Sequence, residues 1–520
     1  MEKEKERYPE LATNSKFAKR VVNCGEDKHT IRNEFERDRD RIMYSRAFRR
    51  LSGKTQVFLA GNDDHVRTRL THTLEVAQIA RTISKALGLN EYLTEAIALG
   101  HDIGHTPFGH IGERMLNSIM NGCYKIKDFN DENDIIKDHK GFKHNWQSLR
   151  VATVLEPNMN LTNYTLWGIL NHSSLNYSKC IMKYNDNNCF LRHEKNNKCE
   201  KDLKSDDTLS FYKNMKISRE NEENLYEAIS KSWSFEGYVV AIADEIAQRH
   251  HDIEDALEYN MLEKEELLKK IQEIFSINDD NYFKNTEENI KNFKELEASI
   301  KSGKSFDEYI PKFSKFIVNL LTTDVILNTR KNFNHFIKKY DIKDINGIGE
   351  NSFHLIKDTI YEETCLKEDK EIKYVQTIVS YNNFIKDKDK QLQKFLKNTI
   401  LNSHKAQTMD GVGKYVIKEL FKAYLLNPQQ LPDKTIVKLF KNLDTTPFNY
   451  VKSNCTVGEL RNKLQNYHFN NFNNFDEFDC AKSCAYTCYK RELLRTICDY
   501  ISGMTDKYTI EQHRKLYNII

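Results

Sequence analysis

The chain has 520 residues and a mass of 61.3 kDa, with 79 Lys and Arg against 76 Asp and Glu, a formal charge of +3. That balance gives no argument for an acidic partner from global charge and leaves the question to local patches. Nineteen glycines and seven prolines fall well below average usage, roughly 12% together, which disfavours a fold of many tight turns and favours an all-α one. A mean hydropathy of −0.70 with 11% aromatics fits a globular chain rather than a disordered one.

The opening MEKEKERYPE lacks the apolar core of a secretory signal. No stretch approaches the ~18 apolar residues of a membrane span. Eleven cysteines without close regular pairing read as the reduced thiols of a cytoplasmic protein. Cys480, Cys484 and Cys488 share a helical face at i, i+4, i+8; clustered metal sites favour CxxC-like spacing, so these read as small residues packed on a neighbour. Arg32, Arg37, Arg39, Arg41, Arg46, Arg49 and Arg50 are interleaved with Glu34, Glu36, Asp38 and Asp40. The acids cancel much of the field, so ion pairs are expected there ahead of a nucleic-acid track.

In chain order, His72, Val76, Ile79, Ala80, Ile83 and Leu87 form one stripe of a predicted helix, closed by Gly88. A second helix starts near Asn90 and runs to His101 and Asp102. Residues 173–232 are Asn- and Lys-rich and read as a polar insertion. A third helix is expected over 233–257, with Val240, Asp244, Ala247 and His251 on one stripe. Amphipathic helices follow from about 258 to 500, interrupted at Gly347–Gly349 and at Pro428 and Pro432, and 466–477 reads as a loop.

His72, the pair His101–Asp102, and Asp244 each lie on an otherwise apolar helical face. An unpaired buried carboxylate costs several kcal/mol, roughly. Two imidazoles and two carboxylates on three helices therefore ask for a common partner, and a divalent cation suits them: Mn²⁺, Fe²⁺, Zn²⁺ or Mg²⁺. GVGKY at 411–415 lacks the upstream glycine of a phosphate loop, and neither HExxH nor GxGxxG occurs.

The blocks around these residues carry a resemblance. RDRDRIMYSRAFRRLSGKTQVF (37–58), RTRLTHTLEVAQIAR (67–81), EAIALGHDIGHTPFGHIGERML (95–116), FKHNWQSLRV (142–151), LTNYTLWGILNH (161–172), EGYVVAIADEIAQRHHDIEDAL (236–257) and DYISGMTDKY (499–508) resemble the deoxynucleoside triphosphate triphosphohydrolases, or dGTPases, of the HD phosphohydrolase superfamily. The resemblance implies a basic N-terminal segment (1–60) completing the active site and an HD catalytic core (61–257). It also implies a helical C-terminal region (258–520) that returns to the site near 499–508.

Residue by residue, it implies metal ligation by His72, His101, Asp102 and Asp244. It places His105 near the α-phosphate, and lets His110 and Glu113 act on the nucleophilic water or the leaving group. His144 and Asn145 match a pair facing the phosphates, Gln56 a nucleoside contact, and Asp252 an acceptor for the sugar 3′-hydroxyl. The residues have their own logic too. Gly104, Pro107, Gly109 and Gly112 break regular helix so that His105 and His110 can turn back, and His110 and Glu113 are spaced i, i+3. Arg69, three residues before His72, can clamp phosphate oxygens. One departure is Gln248, where many relatives carry tyrosine beside the sugar; Glu245 stands where some carry a phosphate-binding lysine.

The implied reaction converts a dNTP, dGTP foremost, to deoxynucleoside and triphosphate with one divalent ion. A dimer-based homo-oligomer, up to a hexamer, and a single-stranded DNA or nucleotide effector are also implied; no membrane is. Two other readings stand beside it: an HD phosphohydrolase acting on a monophosphate or cyclic nucleotide, and a non-catalytic dNTP or DNA sensor.

Overall fold

Capping side chains mark where the polar segments give way to periodic ones. The computed structural model describes residues 7–22, 25–56, 67–124, 126, 141–175, 209–217, 223–277, 287–342, 353, 356–360, 373–443, 455–465 and 480–517. Asn33 accepts from the Phe35 and Glu36 amides while the Glu36 carboxylate takes the Asn33 amide, opening α1 (Glu34–Tyr44). Thr68 caps α2 (Arg69–Leu87), which ends at Gly88 with φ +79°, a conformation that glycine adopts without penalty. Asn90 caps α3 (Glu91–Gly100). Next come α4 (Gly109–Met120), α5 (His144–Arg150) and α6 (Asn163–Asn171). Ser234 caps α7 (Phe235–Glu258). Downstream lie α8 (Phe306–Lys339), α9 (Asn383–Leu401), α10 (His404–Leu426), α11 (Cys480–Ser502) and α12 (Asp506–Tyr517). Among the described residues β pairing is confined to isolated bridges such as Thr55–Thr68. The fold is all-α.

Two apolar cores organise these helices. The first gathers α2, α3, α6, α7 and α8, and buries Val76, Ile79, Ala80, Ile83 and Leu87 of the predicted stripe. Each of these Val, Ile and Leu side chains contributes roughly 1.5–3 kcal/mol of burial. The second gathers α4, α10, α11 and Asp433–Leu443 around Leu116, Ile417, Phe421, Leu439 and Ile497. Residues 101–108 run from a helix of one core to a helix of the other, so side chains on this stretch sit at the seam.

Several expectations change in detail. The second predicted helix stops at Gly100, and His101 and Asp102 lie in the turn that follows. Part of the expected polar insertion is core: Leu209, Tyr212, Ile217, Leu225 and Ile229 are buried in the first cluster. Residues 176–208 lie outside the described residues, as do Gly347–Gly349 and the expected loop at 466–477. Phe333 of α8 packs edge-on against Phe235 of α7 at 4.9 Å. Much of the arginine-rich segment is paired within the chain: Arg37 reaches Glu26 and Glu34, Arg41 reaches Glu26, and Arg50 reaches Glu156. Cys488 is a free, half-buried thiol; the side chains of Cys480 and Cys484 lie outside the described residues. No helix among the described residues is long and apolar enough to cross a membrane.

Candidate active site at the seam

Three elements of the first core bring His72 (α2), His101 (after α3) and Asp244 (α7) together, while Asp102, beside His101, groups its carboxylate with His105 and His144. His72 Nε2 lies 3.0 Å from Asp244 Oδ1, and His101 Nε2 lies 3.5 Å from Asp102 Oδ1. One ligand atom each from His72, His101 and Asp244 falls within a 4.8 Å cluster. The tautomer of His101 is set by local geometry: its Nδ1 donates to Ala98 O at 2.7 Å, three residues back in the last turn of α3. Nε2 then carries a lone pair, yet it is buried with no hydrogen-bond partner. A buried acceptor facing two carboxylates fits a divalent cation, and the donor set of two imidazoles and two carboxylates suits Mn²⁺, Fe²⁺, Zn²⁺ or Mg²⁺. Burial alone would raise the carboxyls of Asp102 and Asp244. The neighbouring His101 imidazole and the Arg69 guanidinium instead hold Asp102 well below the ordinary range, and the adjacent His72 imidazole holds Asp244 low.

Arg69 opens α2 one turn before His72, and its Nη1 donates to Asp102 Oδ2 in a tight buried contact. Its Nε and Nη2 are buried without partners. Gln56 lies beside it: a Cβ on Gly109 would come 3.4 Å from Gln56 O and 3.5 Å from Arg69 Nη2. The Gln56 Oε1 is likewise buried and unpartnered.

The loop after Asp102 is built by close backbone approach. A Cβ on Gly104 would lie 2.1 Å from Ser148 N, so only glycine lets the turn rest on α5. Phe108 adopts φ +60° before α4, a left-handed conformation for a bulky residue that costs roughly 1–3 kcal/mol. It is held there by Asp506 at the start of α12, whose Oδ1 accepts from Phe108 N at 2.9 Å and whose Oδ2 accepts from Thr55 N at 2.8 Å. Buried Lys54 adds a second tie, donating to the carbonyls of His105 and of Ser502, the latter at 2.9 Å. Asp499 of α11 accepts from Arg150 at 2.7 Å and from Gln147 at 3.0 Å.

A group of imidazoles lines the seam. His105 stacks on His144 with centroids 4.2 Å apart. His144 Nδ1 lies 2.9 Å from Glu113 Oε2, and its Nε2 lies 3.1 Å from His172 Nε2. His172 donates from Nδ1 to Ile169 O at 2.7 Å, and burial with the charges of His101 and His144 pushes it down to about 3. Burial, Arg69 and His144 hold His105 well below its usual value. His110 is different: its side chain is 61% exposed, and its Nδ1 is 3.7 Å from Glu113 Oε2, longer than an ordinary hydrogen bond. The i, i+3 spacing brings the pair near one another, but the 2.9 Å partner of Glu113 is His144, because that imidazole arrives from α5 directly over the carboxylate.

Two of the implied substrate residues have distinct surroundings. Asp252 is buried near the end of α7, and burial pushes its carboxyl up to about 6 against the opposing charges of Arg249 and His110. Asn145 Nδ2 donates to Leu170 O at 2.9 Å, tying α5 to α6, and its Oδ1 accepts from Trp146 N, the next residue of α5, at 3.0 Å. The residues not singled out from sequence are Lys54, Glu75, His172, Asp499 and Asp506, while His251 is read there only as a position on the Asp244 stripe. All six sit inside the quoted blocks, but their partners are too distant in the chain for spacing to reveal.

Residues 69–160 match the HD domain, and residues 379–445 and 478–515 match the phosphohydrolase-associated domain. The second match covers helices that pack around α4 and hold the Phe108 loop. Three curated relatives carry the name deoxyguanosinetriphosphate triphosphohydrolase-like protein. One from Caldanaerobacter subterraneus is 43% identical over 249 residues, 47% of this chain and 52% of that relative. One from Leptospira interrogans is 31% identical over 415 residues, 78% of this chain and 82% of the relative. One from Bartonella quintana is 29% identical over 508 residues, 95% of this chain and 91% of the relative. The first match spans about half of its relative and the other two most of theirs. With the HD residues gathered at the seam and the associated domain closing over them, the chain belongs to the deoxyguanosinetriphosphate triphosphohydrolase-like family of HD-domain phosphohydrolases.

Proposed function

We propose that the chain hydrolyses a deoxynucleoside triphosphate, dGTP foremost, to deoxynucleoside and triphosphate with one divalent ion, Mn²⁺ or Mg²⁺ ahead of Fe²⁺ or Zn²⁺. One observation carries this reading: two unmet demands of opposite sign lie side by side. His101 Nε2 lacks a partner and asks for a cation, while Arg69 Nε and Nη2 lack partners and ask for an anion. Asp102 touches both residues.

In this reading His72, His101, Asp102 and Asp244 hold the ion. When bound there, the ion supplies Lewis-acid polarisation of a phosphoryl oxygen and a more acidic water. Arg69 and His144 offset the charge of the triphosphate, as preorganised donors in a dry site do most effectively. His105 faces the α-phosphate. Gln56 and Asp252 hold the nucleoside, which brings the 5′ oxygen to the His110 side of the seam. Water attacks the α-phosphorus, the bond from phosphorus to the 5′ oxygen breaks, and His110 with Glu113 moves a proton to that oxygen. General acid–base help of this kind is worth on the order of 10²–10⁴ in rate.

Ion-exchange chromatography of dGTP incubated with the purified protein and Mn²⁺ tests the reading. Deoxyguanosine with tripolyphosphate supports it; dGMP or dGDP assigns the site to another HD phosphohydrolase reaction. The same reading carries a dimer-based assembly, a cytoplasmic location and a single-stranded DNA or nucleotide effector. Sedimentation with and without dNTP or oligonucleotide tests the assembly and the effector.

A further inference from the structure

His72 has a second ring nitrogen that the ligand set does not use. Its Nδ1 lies 3.2 Å from Nδ1 of His251, and His251 Nε2 is in close contact with Glu75 Oε2. We propose that Glu75 and His251 are positioning residues for the metal site, a carboxylate–imidazole relay that fixes His72 with its proton on Nδ1 and its Nε2 lone pair facing the ion. This inference rests on the proposed metal site.

The tautomers follow from the ends inward. A carboxylate only accepts, so His251 Nε2 carries a proton and donates to Glu75. Neutral His251 then has its lone pair on Nδ1, which accepts from His72 Nδ1–H. His72 is left with a lone pair on Nε2, the nitrogen that lies 3.0 Å from Asp244. The helices that carry the ligands also carry the relay: Glu75 is one turn after His72 on α2, and His251 is two turns after Asp244 on α7. His72 and His251 are 1% exposed at the side chain while Glu75 is 34% exposed, so the relay runs from the buried centre to the surface. Arg67 holds its outer end, with Nη2 3.5 Å from Glu75 Oε1 and also bonded to Glu254.

A second ion is the competing use of this corner, since Glu75, His250 and His251 offer donor atoms within 4.8 Å of one another. The Arg67 guanidinium argues against it. It already engages Glu75 and Glu254, and a cation bound there would face that charge across both carboxylates.

Mn²⁺ titration of the full chain, followed by the electron paramagnetic resonance of free Mn²⁺, tests the relay without any turnover. The wild type is expected to bind one ion. Glu75→Gln is expected to raise the Mn²⁺ dissociation constant about 10–100-fold, the usual consequence of removing a partner behind a ligating histidine. Glu75→Asp should recover part of that affinity. Glu254→Gln, which alters the same Arg67 but not His251, should leave affinity unchanged. The thermal midpoint of metal-free Glu75→Gln should match wild type, because the residue is partly exposed. An unchanged dissociation constant in a folded Glu75→Gln overturns the relay alone. Two ions in the wild type, one of them lost in Glu75→Gln, overturn it in favour of a second site. No binding by the wild type overturns the metal reading and the relay with it.

Discussion

Glu113 Oε2 lies 2.9 Å from His144 Nδ1 and 3.7 Å from His110 Nδ1, so one carboxylate joins α4 to α5 across the seam. Local spacing pairs Glu113 with His110, one turn away on its own helix. The tertiary contact to His144 is the shorter one. Burial alone would raise the Glu113 carboxyl, yet the charge of His144 and the nearby imidazoles hold it well below the ordinary range.

A double-mutant cycle reads that relationship. Glu113→Gln and His144→Ala should be strongly non-additive in kcat/KM, because each removes the same bond. His110→Ala should lower kcat by about 10²-fold or more with Mn²⁺ stoichiometry intact. Additivity of Glu113→Gln with His144→Ala would assign the carboxylate to His110 alone.

Asp102→Ala removes a proposed metal ligand and the partner of Arg69 together. Metal analysis should show the bound Mn²⁺ falling to background. Urea unfolding should show a loss of about 3–5 kcal/mol, the usual consequence of leaving a buried charge unpaired. Wild-type metal content in the folded variant would remove Asp102 from the ligand set.

Asp252 has a stability signature with a definite sign. The unfolded chain releases this proton near the ordinary value of 3.8, whereas the folded chain holds it to about 6. Ionised Asp252 therefore weakens the fold by about 3 kcal/mol above pH 6, and that penalty fades as pH falls from 6 towards 4. Asp252→Asn should raise the unfolding midpoint at pH 7.5 and have little effect at pH 4. If the carboxylate accepts the 3′-hydroxyl, the same variant should discriminate less well against dideoxynucleotides; equal discrimination would remove that role.

Asp506→Ala should loosen the loop from a distance. It leaves the buried amides of Thr55 and Phe108 without their acceptor, at a cost of about 1–3 kcal/mol for each. Phe108 then loses what holds its left-handed backbone, so kcat/KM should fall even where the protein is fully folded. A folded variant with wild-type kcat/KM would show that the C-terminal tie serves stability only.

Much of this architecture is written locally. The stripe from His72 to Leu87 follows a 3.6-residue period, Gly88 closes it in a conformation only glycine favours, and His101 stands three residues from the carbonyl that sets its tautomer. Such features depend on neighbours within a turn or two, and so they are legible in order along the chain. The positions of His101 and Asp102 just beyond their helix, and the core role of residues after 208, already needed packing. The rest is set by how helices cross. Lys54 meets Ser502 across 448 residues and His72 meets His251 across 179, while Asn145 meets Leu170 across 25. Residue type and spacing specify which groups a helix offers. Only the packing of two cores against a shared loop decides which of those groups meet, because hydrogen bonds act over about 3 Å and sequence separation carries no information at that scale.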